Sequence, residues 1–117
     1  MTRNQRLAQY AYCRIANRNG GAPTKEYKTF ARKFPSLIHA CGLAQAVAFA
    51  LAKRENDYVA DLAEVIRSCG HPEVTGFEEL ATRSRVEQLA GYLRLSRDAL
   101  DAAGWLKRYV ESLGEDD

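Results

Sequence analysis

Ser36, His39 and Cys41 fall within six residues of one another, and all three are groups that enzymes use. A serine nucleophile needs a base beside it and an acid that orients the base. On a helix over 35–41, Ser36 and His39 sit at i, i+3 and can touch. His39 and Cys41 are two apart and face different ways. No acid lies in the segment, so a triad would need a partner from elsewhere in the chain. A metal is the second chemistry. His39-Ala40-Cys41 and Cys69-Gly70-His71 mirror each other and offer two His and two Cys, the ligand set of a structural zinc site. Their spacing of one intervening residue is tighter than the usual two to four. Each pair also falls at an expected helix end, where Cys acts as a small core hydrophobe and Gly ends the helix. The sequence therefore predicts no metal.

A third arrangement, Arg32 with His39, resembles the Arg-x4–6-His pair of all-helical HEPN-type ribonucleases, in which His and Arg act on the phosphate and the 2′-hydroxyl. Pro35 lies between the two residues. A small ribonuclease of this type and a protein-only helical adaptor stand as the alternative functions. The chain carries no Walker loop, GxGxxG, HExxH or paired carboxylate cluster. No catalytic residues, no cofactor and no small-molecule substrate are expected.

The elements that would hold these residues are helices. Period-two patterns are absent, and helical periodicity recurs between glycines. The first helix is expected from about Arg3 to Asn19, ended by Gly20-Gly21-Ala22-Pro23. Thr24 caps the next, on which Tyr27, Phe30, Ala31 and Phe34 form an apolar stripe. Pro35 is expected to kink or restart this helix, and Gly42 to close it. A core helix follows from Leu43 to Arg54, with Leu37, Ile38, Leu43, Val47 and Phe49 filling the core. Asn56 or Asp57 caps another, which repeats Tyr58, Leu62, Val65, Ile66 and Cys69 and stops at Gly70 and Pro72. Gly76 to Thr82 is a short helix. Ser84-Arg85-Val86-Glu87 reads as a capping box that opens a long C-terminal helix, or a pair broken near Ser96-Arg97-Asp98. The fold class is all-α, a single domain over residues 1–117 built as a bundle of five to seven helices.

A chain of 117 residues can bury a core without disulfides. Its three cysteines form no disulfide framework, which fits a reducing cytoplasm. The polar N-terminus has no signal core, and the apolar run Cys41 to Ala52 is too short to span a bilayer. A cytoplasmic protein with no membrane partner is expected.

Charge carries the strongest functional signal. Residues 1–54 hold ten Lys and Arg and one acid; residues 55–117 hold seven and fourteen. A helical wheel over residues 3–18 places Arg3, Arg6, Arg14 and Arg18 with Tyr10 and Leu7 on one arc, opposite Ala8, Ala11, Tyr12, Ile15 and Ala16. The next helix sets Lys25, Lys28, Arg32 and Lys33 opposite its apolar stripe, and Lys53 and Arg54 follow. A solubilising surface mixes the two signs. Segregated arginines and lysines instead suit a phosphate backbone. These ten residues are the candidate RNA-binding set. Asp57, Asp61 and Glu64 line the other half at i, i+4, i+7, which suits head-to-tail association of basic and acidic ends. Neutralisation of the two halves within the fold is the plainer alternative.

One stretch adds a family. Tyr27, Phe30-Ala31-Arg32-Lys33 and the block Phe34-Pro35-Ser36-Leu37-Ile38-His39-Ala40-Cys41-Gly42-Leu43-Ala44-Gln45-Ala46-Val47-Ala48-Phe49 resemble the small subunit of type III-B (Cmr) CRISPR–Cas effector complexes. So does the closing helix with Tyr92-Leu93-Arg94-Leu95 and Trp105-Leu106-Lys107-Arg108-Tyr109. Cys41 stands where that family is expected to carry asparagine or a similar polar residue. The resemblance implies a non-catalytic subunit of an antiviral complex. It implies copies that stack in a filament beside the backbone and large subunits and contact guide and target RNA.

Overall fold

Thr2 opens the first helix. Its Oγ1 accepts from the Gln5 amide at 3.0 Å, and Gln5 Oε1 accepts from the Thr2 amide at 2.8 Å, a reciprocal cap. The computed structural model describes residues 1–17 and 23–113. Five helices form there: α1 (Arg3–Ala16), α2 (Lys25–Ala52), α3 (Asn56–Ser68), α4 (Phe77–Val86) and α5 (Leu89–Leu113). No strand occurs among the described residues. The expected all-α bundle is what forms, at the lower end of the expected helix number. The Gly20-Gly21-Ala22 terminator, Arg18 and the acidic tail lie outside the described residues.

Helix α2 starts as expected, with Thr24 Oγ1 accepting from the Tyr27 amide at 3.1 Å. Its stripe of Tyr27, Phe30, Ala31 and Phe34 is buried. Pro35, however, does not set the bend. The helix runs through it, and the break falls at Gly42, with φ 84° and ψ 162°. That combination is accessible only to glycine in practice. The second arm regains a partner for its first free amides from α5: the Tyr92 hydroxyl accepts from Ala44 N at 3.3 Å. By length and composition α2 could cross a membrane. In this fold it is a core helix, with ten residues buried along its two arms.

α2 closes in a Schellman pair, Glu55 N to Ala50 O at 2.9 Å and Arg54 N to Leu51 O at 3.0 Å. The left-handed position in this motif usually belongs to glycine; here it is Arg54, at φ 61°. The next helix is not capped by Asn56 or Asp57. Glu55 occupies the cap position without a side-chain bond.

The C-terminal half differs from expectation at two points. Ser84 caps nothing: it is buried inside α4 and its hydroxyl donates to Ala81 O at 2.8 Å. Helix α5 begins at Leu89 and runs unbroken through Ser96-Arg97-Asp98. It buries Leu95, Asp98, Ala99, Ala102, Ala103, Leu106 and Val110 and packs against all four other helices. Small alanines on this face let its neighbours approach closely. Tyr58 of α3 fills the centre, with the Phe34, Phe30 and Tyr27 rings 5.1–5.6 Å away and tilted edge-on.

Candidate nucleic-acid interface

The break at Gly42 divides α2 into two arms, and the end of the second comes beside the start of the first. Lys25 and Lys33 from the first arm and Lys53 after the second line one cleft of about 320 Å³. Glu26, Thr29, Phe30 and Glu55 complete its lining. Beside it stands Phe49. Its ring is nearly parallel to Phe30, centroids 6.4 Å apart. The Lys33 amine lies 5.5 Å from the Phe30 centroid and 5.7 Å from that of Phe49; the Lys53 amine lies 5.6 Å from Phe49. Phe49 was expected in the core, yet it is 38% exposed. The adjoining positions Ala46, Val47 and Ala50 take the buried face of this arm, which leaves Phe49 at its edge.

Two carboxylates share the cleft with the lysines. Partial burial pushes the Glu55 carboxyl up, and the charge of Glu26 pushes it further, while Lys33 pulls it down. The cleft therefore presents amines, carboxylates and an aromatic edge together.

The other members of the basic set are placed differently. On α1 the buried residues are Leu7, Ala11 and Ile15, so the core-facing side is turned toward the arginine arc. Arg3 and Arg14 border this face, and their long stems reach across to acids of the second half. Arg3 bonds Asp98 Oδ1 at 2.5 and 2.8 Å and Asp101 Oδ2 at 2.7 Å. Arg14 bonds Asp61 Oδ1 at 2.8 and 3.0 Å. Tyr12, expected on the apolar side, is exposed and meets Tyr109 edge-on at 5.5 Å. Arg6 stands exposed on α1, Arg32 and Lys33 on α2, and Lys53 and Arg54 at its end. Arg32 Nε is 4.0 Å from Glu111 Oε2. Lys28 is buried. Among the described residues α1 does not pack on α2; both pack on α3 and α5. The two basic helices thus do not form one continuous stripe.

The acidic row on α3 is also divided. Asp61 is buried, and besides Arg14 it accepts from the Tyr27 hydroxyl at 2.5 Å. Glu64 holds Arg67 on the same helix. Asp61 is thus an internal acceptor and not part of an acidic surface.

The residues of the opening motif do not converge. Ser36 and His39 are exposed, and the Cys41 thiol donates to Leu37 O at 3.2 Å. His71 belongs to another network: its Nε2 lies 2.6 Å from Asp98 Oδ2 and its Nδ1 3.6 Å from Glu73. Among the described residues no three His, Cys, Asp or Glu side chains group as a metal set. Sequence reasoning missed Asp98, which joins Arg3 of α1 to His71 of the α3–α4 connection. Its one signal was an acid at a core-facing position of α5.

The whole chain has counterparts. The family described as "CRISPR-associated protein (Cas_Cmr5)" matches residues 3–113. The "CRISPR system Cmr subunit Cmr5" of Thermus thermophilus is 37% identical over 118 aligned positions, which cover 98% of each chain. The crystal structure of a CRISPR-associated Cmr5 family protein from Thermus thermophilus superposes with a TM-score of 0.86 at 36% identity, over 98% of this chain and 100% of that one. A family match over nearly all the described residues, joined to this identity and this shared fold, shows that the chain belongs to the Cmr5 family of CRISPR-associated proteins.

Proposed function

We propose that this chain is a non-catalytic small subunit of a type III-B CRISPR RNA-guided effector complex, acting in antiviral defence in the cytoplasm. Copies stack in a filament beside the backbone and large subunits of the complex. They contact guide and target RNA through the basic end of α2. The Thermus relative is a subunit of the CRISPR system Cmr, and it matches 98% of this chain. The observation that carries the RNA contact is the gathering of Lys25 and Lys33 of the first arm with Lys53, which follows the second, around one open cleft. Amines placed in this way follow a phosphate backbone without reading bases. Arg6, Arg32 and Arg54 extend the exposed charge. Arg3 and Arg14 belong to the fold's own ion pairs and are given a supporting role.

Protein neighbours are offered a second surface. Val86, Leu89 and Leu93 are 60%, 73% and 58% exposed at the α4–α5 junction, an apolar patch of the kind that protein contacts cover. The exposed acids Asp57, Glu73 and Glu78 provide the negative side for a basic neighbour, in place of a row that included Asp61.

The test is an affinity pull-down of the tagged chain from its own cells under mild salt, analysed for protein and RNA. The expected result is a multi-protein particle with short RNAs that share repeat-derived ends. Recovery of the chain alone, without RNA, would overturn the assignment.

A further inference from the structure

We infer that the α2 cleft and the neighbouring Phe49 ring form a subsite for one unpaired nucleotide of single-stranded RNA, the base lying on Phe49 and its flanking phosphates meeting Lys33 and Lys53. This inference rests on the RNA-contact reading above and deepens it.

Three observations lead there. Phe49 is a large apolar ring left more than a third exposed at the edge of the charged cleft. An exposed aromatic beside cations is how proteins hold single strands, because every base offers a π-face. The two amines lie over the ring, 5.6–5.7 Å from its centroid, so an arriving base displaces a flexible lysine from the face and leaves that amine beside the base's own phosphates. A duplex has its bases stacked internally and cannot supply one. The third observation favours a ligand with hydrogen-bond donors over a plain anion. Glu26 and Glu55 line the same cleft as the lysines. They repel a bare phosphate or an acidic peptide. They accept hydrogen bonds from a ligand that carries donors as well as negative charge, as a ribonucleotide does through its 2′-hydroxyl and its base.

Fluorescence anisotropy with the purified full chain at low salt tests this. The probes are labelled oligo(A) and the same strand annealed to oligo(U). The wild-type protein is expected to prefer the single strand. Phe49→Ala should weaken single-strand binding about ten-fold and leave duplex binding unchanged. Phe49→Tyr keeps a π-face and should restore the preference. Thermal unfolding of each variant confirms that it is folded. Equal loss on both probes with Phe49→Ala, or none, overturns the stacking subsite. Displacement of the strand by free AMP at equal nucleotide concentration would keep the stacking subsite but overturn its assignment to an RNA strand in favour of a free mononucleotide. The double variant Lys33→Gln/Lys53→Gln separates the two levels. If it weakens binding to both probes while Phe49→Ala does nothing, only the subsite fails. If it too binds like wild type, or if wild type binds neither probe, the RNA contact itself fails.

Discussion

Arg14 of α1 donates two hydrogen bonds, at 2.8 and 3.0 Å, to one oxygen of Asp61, a buried carboxylate on α3. Tyr27 of α2 donates to the other oxygen at 2.5 Å. One carboxylate thus ties together three helices. Asparagine keeps one acceptor oxygen but puts an NH2 donor in place of the other and removes the charge that faces the guanidinium. Asp61→Asn is expected to lower stability by roughly 2–4 kcal/mol. Arg14→Gln should lower it less, because that side chain is partly exposed, while RNA affinity of the folded variant stays at the wild-type value. Urea unfolding and anisotropy measure the two. A selective loss of RNA affinity with unchanged stability would return Arg14 to the interface.

Gly42 holds a conformation that a Cβ resists. A methyl group there would also sit 3.4 Å from the Tyr92 hydroxyl, the group that accepts from Ala44 N. Gly42→Ala should cost about 1–3 kcal/mol in backbone strain alone. The midpoint of denaturant unfolding reports it, and a wild-type midpoint would show that the break in α2 is not needed.

Leu43 and Phe49 both follow the break, and the structure separates them. Leu43 is fully buried, so Leu43→Ala should cost roughly 2–5 kcal/mol. Phe49 keeps more than a third of its surface in solvent, so Phe49→Ala should cost less, about 1–3 kcal/mol for the buried part of the ring and its stack on Phe30. Equal losses in thermal melts would place Phe49 in the core after all.

Asp98 sets an acid limit on stability. Burial pushes its carboxyl up, but the bonds and charges of His71 and Arg3 outweigh burial and hold it below the usual carboxylate range. The folded state therefore gives up this proton more readily than the unfolded chain. The stabilisation is complete above the unfolded value, about pH 4, and is lost as pH falls through the lower folded value. Asp98→Asn should remove roughly 1.5–3 kcal/mol at neutral pH and flatten the acid limb of the stability–pH curve. An acid limb as steep as that of wild type would assign it to other groups.

Arg54 occupies a left-handed position that suits glycine better. Arg54→Gly should stabilise the fold by about 1 kcal/mol. If the exposed guanidinium serves the RNA contact, the same substitution lowers affinity in the anisotropy assay. A gain in stability with no loss of affinity would remove Arg54 from the interface.

What the sequence determined is local. The Thr24 cap, the stripe of Tyr27, Phe30, Ala31 and Phe34, and the glycine break at 42 depend on neighbours within about two turns, and the helical period exposes them. The Pro35 to Phe49 block was distinctive enough to identify the family. Contacts between distant positions were decided only by the tertiary structure. Arg3 reaches an acid 95 residues away, and Arg14 one 47 residues away. A wheel drawn on α1 alone could not show that its buried face turns toward those arginines, because the partners that draw them inward lie on α3 and α5. Nor could it show Ser84 inside α4 or α5 unbroken, where burial overrides the capping preference of serine. Segregated charge was visible in the chain. Which charges cancel inside the fold, and which are left at the cleft beside Phe49, depended on how the helices pack.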